Sequence, residues 1–188
     1  MGLRVETVIS PRGALGRSFR VFFLLLLTGC GATQFNSGIP ADLKFGAGGK
    51  IELPPIQNAT GGRLTYPADQ AFDEYMTKLL QERHLLSAPP HESAVFVLRT
   101  KLIEYDEGNA FTRWYSSFTS HGASTCTVHA ELVDRKTGGV IGELRSRQTV
   151  SFGGAYSIGA YAYICKRVAD DLIGEIDKTI IKSSQTKH

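Results

Sequence analysis

The sequence predicts an α/β fold: a two-layer sandwich in which a mixed sheet of about four strands carries two helices on one face. Three observations lead there. Two segments, one near the middle of the chain and one near its end, repeat apolar residues at helical spacing. Between them lie three segments in which apolar and polar residues alternate. A short apolar segment stands ahead of the first helix, so the order is strand, helix, strand, strand, strand, helix. A helical crossover implies a parallel pair, and the three later strands form an antiparallel meander. Two helices cover only one face of such a sheet and leave the other to solvent.

The first strand is expected over 51–56, where Pro54 and Pro55 demote it to an edge. Asn58 to Gly62 is a turn by composition. The first helix opens near Pro67, whose fixed φ suits a first turn, and Asp69 sits at the positive end of the helix dipole. Ala68, Phe72, Tyr75, Met76, Leu79 and Leu80 form its stripe, and it ends near His84, before Pro89-Pro90. The strand expected over 94–104 sends Phe96, Leu98 and Leu102 one way and Arg99 and Lys101 the other. Over 126–134, Cys126, Val128, Ala130 and Leu132 alternate with Thr127, His129 and Glu131. Arg135-Lys136-Thr137-Gly138-Gly139 is a hairpin turn. The return strand, 140–152, places Leu144, Val150 and Phe152 opposite Glu143, Arg145, Arg147 and Thr149. The last helix, 164–181, carries Cys165, Val168, Ala169, Leu172, Ile173, Ile176 and Ile180 as its stripe. Residues 183–188 are a polar tail.

The N-terminus has a different character. Arg4, Arg12, Arg17 and Arg20 against Glu6 precede the unbroken apolar run Val21 to Leu27. A basic stretch followed by a short apolar run is the layout of a secretory signal, and seven residues fall far short of the roughly 20 that span a bilayer as a helix. Leu27-Thr28-Gly29-Cys30 follows and resembles the lipobox of bacterial lipoproteins. That resemblance implies cleavage before Cys30 and a diacylglycerol on its thiol, with each buried acyl CH₂ worth about 0.8 kcal/mol of membrane affinity. Gly31 rather than Asp after the cysteine implies the outer membrane, facing the periplasm. The expected organisation is a signal peptide over 1–29, a lipidated N-terminus and flexible Gly-rich tether over 30–49, the α/β domain over 50–182 and the tail.

Charge follows the same division. The full chain is +3, the leader holds four arginines and one glutamate, and the remaining 159 residues balance at 17 basic and 17 acidic side chains. The electrostatic case for a nucleic-acid partner therefore lapses. Cys126 and Cys165 remain in the mature chain. In an oxidising compartment they are candidates for a disulfide closing a 40-residue loop, worth about 4 kcal/mol by chain entropy. Two buried thiols are the alternative.

No set of residues reads as an active site. Ala155-Tyr156-Ser157-Ile158-Gly159 resembles a hydrolase nucleophile elbow, but Gly153-Gly154 ends the strand too early and no helix starts at once. A small esterase using Ser157 is the weakest of three functional readings. His121, Cys126 and His129 are close in sequence, yet positions 126 and 129 point to opposite faces of a strand, so no metal site is expected. Glu104 with Asp106, and Asp171 with Glu175, are expected on solvated faces. No phosphate loop follows the Gly-rich stretches, and no cofactor is expected. Arg99, Lys101, Arg145 and Arg147 share a sheet face with Glu131 and Glu143, the arrangement of cross-strand ion pairing.

The stretch from Thr127 through Leu132, Val133 and Asp134 to Thr137-Gly138, ahead of a final helix, completes a wider likeness. With the lipobox and the strand–helix opening, it resembles an uncharacterised family of bacterial envelope lipoproteins. The layout is similar to the periplasmic domain of curli-export lipoproteins and to the amino-terminal domain of the Tol-Pal propeller protein. The likeness covers about 50–181 and brings no catalytic residues. The leading expectation is a non-enzymatic lipoprotein that binds an envelope protein partner; the second is a subunit of an oligomeric export or assembly complex, with a homo-oligomer as one form. Strand directions place the connections 105–123 and 153–163 at one end of the sheet. Trp114, Tyr115 and Phe118 in the first, and Tyr156 and Tyr161 in the second, either cap the domain's own core or form a partner-binding patch facing away from the tether.

The anchor is directly testable. Cys30→Ser should leave an unprocessed or soluble chain, whereas the parent should show, by intact mass, acyl chains on a polypeptide beginning at residue 30. A mature chain that begins elsewhere and carries no lipid would refute the lipobox.

Overall fold

In the computed structural model, residues 31–40, 43, 49–64, 66–109, 122–150 and 160–185 are described. Leu27, Thr28, Gly29 and Cys30 lie outside them, as do Trp114, Tyr115, Phe118, Tyr156 and Ser157. The elements are β1 (Gly31–Ser37), β2 (Lys50–Glu52), β3 (Gln57–Asn58), α1 (Ala68–Glu82), β4 (Ala94–Asp106), β5 (Ser124–Asp134), β6 (Val140–Val150) and α2 (Ala160–Gln185). They build the α/β sandwich expected: one mixed sheet in the order β1-β6-β5-β4-β2, with β3 also on β4. β2 and β3 run parallel to β4, and β4, β5 and β6 are an antiparallel meander.

The tether is the largest departure from the expectation. Gly31–Ser37 is not a spacer but an edge strand, antiparallel to β6 from Gly31 opposite Val150 to Ser37 opposite Leu144. Its glycine, serine and asparagine mask a two-residue alternation in which Phe35 packs against the core; Ile39 and Leu43 follow it there. The single first strand is also split. Pro54 and Pro55 remove two ladder donors between β2 and β3, and the Ile56 amide is taken up instead by Asp73 of α1, at 3.0 and 3.3 Å from its two oxygens. Burial pushes the Asp73 carboxyl above its ordinary range; the Ile56 bond opposes the shift and Asp69 adds to it.

α1 buries Ala68, Phe72, Met76 and Leu80, a stripe at spacings of four. It stops where His84 takes a left-handed φ of 56°, which lets the Leu85 and Leu86 amides reach back to the Leu80 carbonyl at 2.8 and 3.2 Å. α2 begins four residues earlier than expected, at Ala160, so Tyr161 and Tyr163 belong to the helix and not to a loop. It continues to Gln185, so residues 183–185, expected as a polar tail, are helical. The two helices pack on each other, and α2 lies across β5 and β6. Between helices and sheet lies one apolar core, in which Phe72, Met76, Leu98, Leu132 and Leu172 are fully buried. Truncating any of these to alanine costs about 2–5 kcal/mol.

The β5–β6 hairpin shows why Asp134-Arg135-Lys136-Thr137-Gly138 makes a turn. Asp134 Oδ1 accepts from the Thr137 amide at 2.7 Å and from its hydroxyl at 3.0 Å. Gly138, at a φ of 72°, donates its amide to the Asp134 carbonyl at 2.8 Å. The Thr137 bonds hold the Asp134 carboxyl below its ordinary 3.8. A depressed folded-state pKa means that ionised Asp134 favours the folded state. That contribution is present above 3.8 and fades as pH falls through the lower folded value. Asp134→Ala should therefore lower Tm at pH 7, and the gap to the parent should narrow in melts at pH 3. A gap that is the same at both pH values would show that the carboxylate does not act through its charge.

Candidate functional site

The sheet face opposite the helices carries the domain's ordered charge. Register sets its rows: Arg99, Glu131 and Glu143 lie across the meander, then Lys101, His129 and Arg145, then Glu104, Thr127 and Arg147. The contacts run between rows as well as along them. Lys101 Nζ donates to Glu131 Oε1 at 3.0 Å. His129 stands between two carboxylates, with Nδ1 4.0 Å from Glu131 and Nε2 3.5 Å from Glu143. Arg147 Nη2 donates to Glu104 Oε1 at 3.2 Å, and the fully buried Thr127 hydroxyl donates to Glu104 Oε2 at 2.8 Å. The cross-strand ion pairing expected of this face is present, and the sharing of Glu104 between Arg147 and Thr127 goes beyond it.

Glu104 reaches this face through a bulge. Leu102 pairs with Val128 and Glu104 with Thr127, leaving Ile103 as the extra residue, 37% exposed. Uninterrupted alternation would put Glu104 on the core side with Leu102. The bulge turns it out beside Lys101, and Tyr105 takes up the core position opposite Cys126. β1 widens the face at the other side, with Asn36 opposite Arg145 and Gln34 opposite Arg147. Gln34, Asn36, Glu104, Arg145 and Arg147 line a shallow polar cavity of about 350 Å³. Arg99 and Arg145 have no ion pair among the described residues.

The opposite side of β6 holds a polar seam. Ser146 and Gln148 face the helices between Leu144 and Val150, and both are buried. Asp171 of α2 accepts from Ser146 Oγ at 2.7 Å and Gln148 Nε2 at 2.5 Å, and Thr33 of β1 donates to Gln148 Oε1 at 2.9 Å. Asp171 is thus not the solvated carboxylate expected from its place beside Glu175. Its acceptor joins α2, β6 and the edge strand.

Cys126 and Cys165 meet beneath the sheet. Both are buried free thiols in this structure, and Cys165 Sγ donates to the Ala68 carbonyl at 3.4 Å. Cys165 stands in the second turn of α2. The Cys165 thiol and burial push the Cys126 thiol well above its ordinary value. Among the described residues no group of three or more His, Cys, Asp and Glu side chains is placed to hold a metal, and no helix is long and apolar enough to cross a membrane.

The strand ends correct the expected orientation of the aromatic connections. Asp106 is opposite Thr125, and Ser124 and Gly31 are both opposite Val150. The connections 107–123 and 151–159 therefore leave the sheet at the end where β1 begins, and not at the end away from it. Tyr161 is helical, and the other four aromatic candidates lie outside the described residues.

Fold and face together define an α/β sandwich with one helix-covered and one open, ion-paired sheet face. Residues 68–154, from α1 to just past β6, match the family model of a domain of unknown function, DUF4410. No curated protein matches the chain. Among solved structures it is similar to the PelC dodecamer from Paraburkholderia phytofirmans, at 19% identity and a TM-score of 0.48 over 76% of this chain and 96% of that one. A DUF4136 family protein from Bacteroides thetaiotaomicron is similar at 10% identity and a TM-score of 0.48, over 79% of this chain and 97% of that one. Lipoprotein GNA1162 from Neisseria meningitidis is similar at 13% identity and a TM-score of 0.40, over 67% and 99%.

The seam gives a stability test. Asp171→Ala leaves two buried donors without their acceptor and should cost about 2–4 kcal/mol, whereas Asp171→Asn keeps an acceptor oxygen and should lose much less. Urea denaturation midpoints would show the two variants well separated; equal losses would mean that the carboxylate's charge, not its acceptor oxygen, holds the seam.

Proposed function

We propose that the chain is a non-enzymatic lipoprotein of the bacterial envelope, anchored through Cys30, whose domain binds a protein partner on the open face of its sheet. The observation that carries this reading is the start of β1. Gly31, the residue after the lipobox-like cysteine, is already hydrogen-bonded into the sheet opposite Val150. One peptide bond spans about 3.8 Å between Cα atoms, so lipid on Cys30 holds the domain close to the bilayer with no spacer. The connections 107–123 and 151–159 then leave from the membrane side.

A partner would be met by the open face, which runs along the meander away from that end. Its carboxylates Glu104 and Glu131 are held by Arg147 and Lys101, a pairing that fixes the side chains of the face. The exposed Arg145 and Arg99 remain available to an acidic partner surface.

In-cell cross-linking followed by detergent extraction and sizing tests the reading. Arg145→Glu combined with Arg99→Glu should reduce the cross-linked hetero-complex several-fold while leaving Tm and acylation unchanged. A large complex made only of this chain would favour the oligomeric export-complex reading. A hetero-complex indifferent to both charge reversals would refute the open face as the docking surface.

A further inference from the structure

We propose that Cys126 and Cys165 are joined by a disulfide in the exported protein, riveting the sheet to the helical layer. The inference rests on the export reading above. Its geometry is independent of that reading. Cys126 lies on the core side of β5, and Cys165 lies on α2 in the apolar stripe that packs on β5 and β6. Both residues are 0% exposed in the same apolar core, and the Cys165 thiol is what raises the Cys126 thiol most. Cys165 also reaches the first residue of α1 through the Ala68 carbonyl. The pair therefore sits where strand, first helix and last helix converge.

Burial decides when the bond forms. No oxidant reaches either sulfur once α2 is seated on the sheet, so closure belongs to the folding chain. The thiolate of one cysteine attacks a sulfur of an envelope dithiol oxidase in its disulfide form, giving a mixed disulfide and expelling one oxidase thiol. The second cysteine, as thiolate, attacks the chain sulfur of that mixed disulfide and releases the other oxidase thiol. The two cysteines together lose two electrons and two protons, and the oxidase disulfide becomes a dithiol. In the folded domain the same burial keeps dithiol reductants out.

The full chain should be produced with export, denatured without reductant in an alkylating reagent, and mapped by peptide mass. Cys126 and Cys165 should appear as one cross-linked peptide pair and react with the reagent only after reduction, and Cys165→Ala should release a single reactive thiol at Cys126. The reduced, alkylation-free protein should unfold at a clearly lower urea concentration than the oxidised one. Exported chain in which both thiols are alkylated without reduction would overturn the proposal. If fractionation finds the chain retained in the cytoplasm, the export reading fails, and refolding the reduced full chain in a glutathione redox buffer decides the disulfide separately. Closure in most refolded molecules supports the bond, and a native-like fold that stays dithiol overturns it.

Discussion

Two helices on one side of a sheet leave its other side without an apolar cover, and most of the molecule's particular features answer that shortage. α1 and α2 bury the inward residues of β4, β5 and β6. The outward residues must then stay compatible with water while still holding the strands in register. They do so with charge: Lys101 on Glu131, Arg147 on Glu104, His129 between Glu131 and Glu143. Exposed ion pairs are worth little singly, about 0–1 kcal/mol, and their value here is in register. A one-residue slip of β5 would carry His129 and Glu131 into the core and Val128 and Ala130 out of it.

The same shortage explains the edges. β6 would be an open edge of unpaired amides if β1 did not close it. β1 is short and carries only Phe35 as a large apolar contact, so its place is fixed further by Thr33, which bonds Gln148 and through it Asp171 of α2. A buried polar seam of this kind stabilises only when each member has a partner. It also gives the edge strand a single register, which hydrophobic contact alone would define weakly.

The helices and the meander were legible in the sequence because each is a local period: Phe72, Met76 and Leu80 in one, Val128, Ala130 and Leu132 in the other. β1 was not, since its partner lies far along the chain and its composition imitates a linker. Glu104 was placed on the polar face for its neighbour Asp106, without the bulge at Ile103 that takes it there; an extra isoleucine in a strand has no local signature. Asp171 departs from the solvated place its neighbours suggest, although a clue is present in the sequence. Ser146 and Gln148 sit on the inward parity of β6 between Leu144 and Val150, and two inward polar side chains require an internal acceptor. The strand alternation places both aromatic connections at one end of the sheet, and what it does not show is that β1 begins at that same end.

The seating of β1 also imposes an order on events. Gly31 is opposite Val150 and Ser37 opposite Leu144, so the first of the described strands has its neighbour in the last strand of the meander. Closing so long a loop costs entropy that no local contact returns, and such pairings form late. Until β6 is in place, β1 has no neighbouring strand to pair with. The topology therefore leaves this edge strand unpaired until the last strand of the meander is in place, and completes the sheet only then.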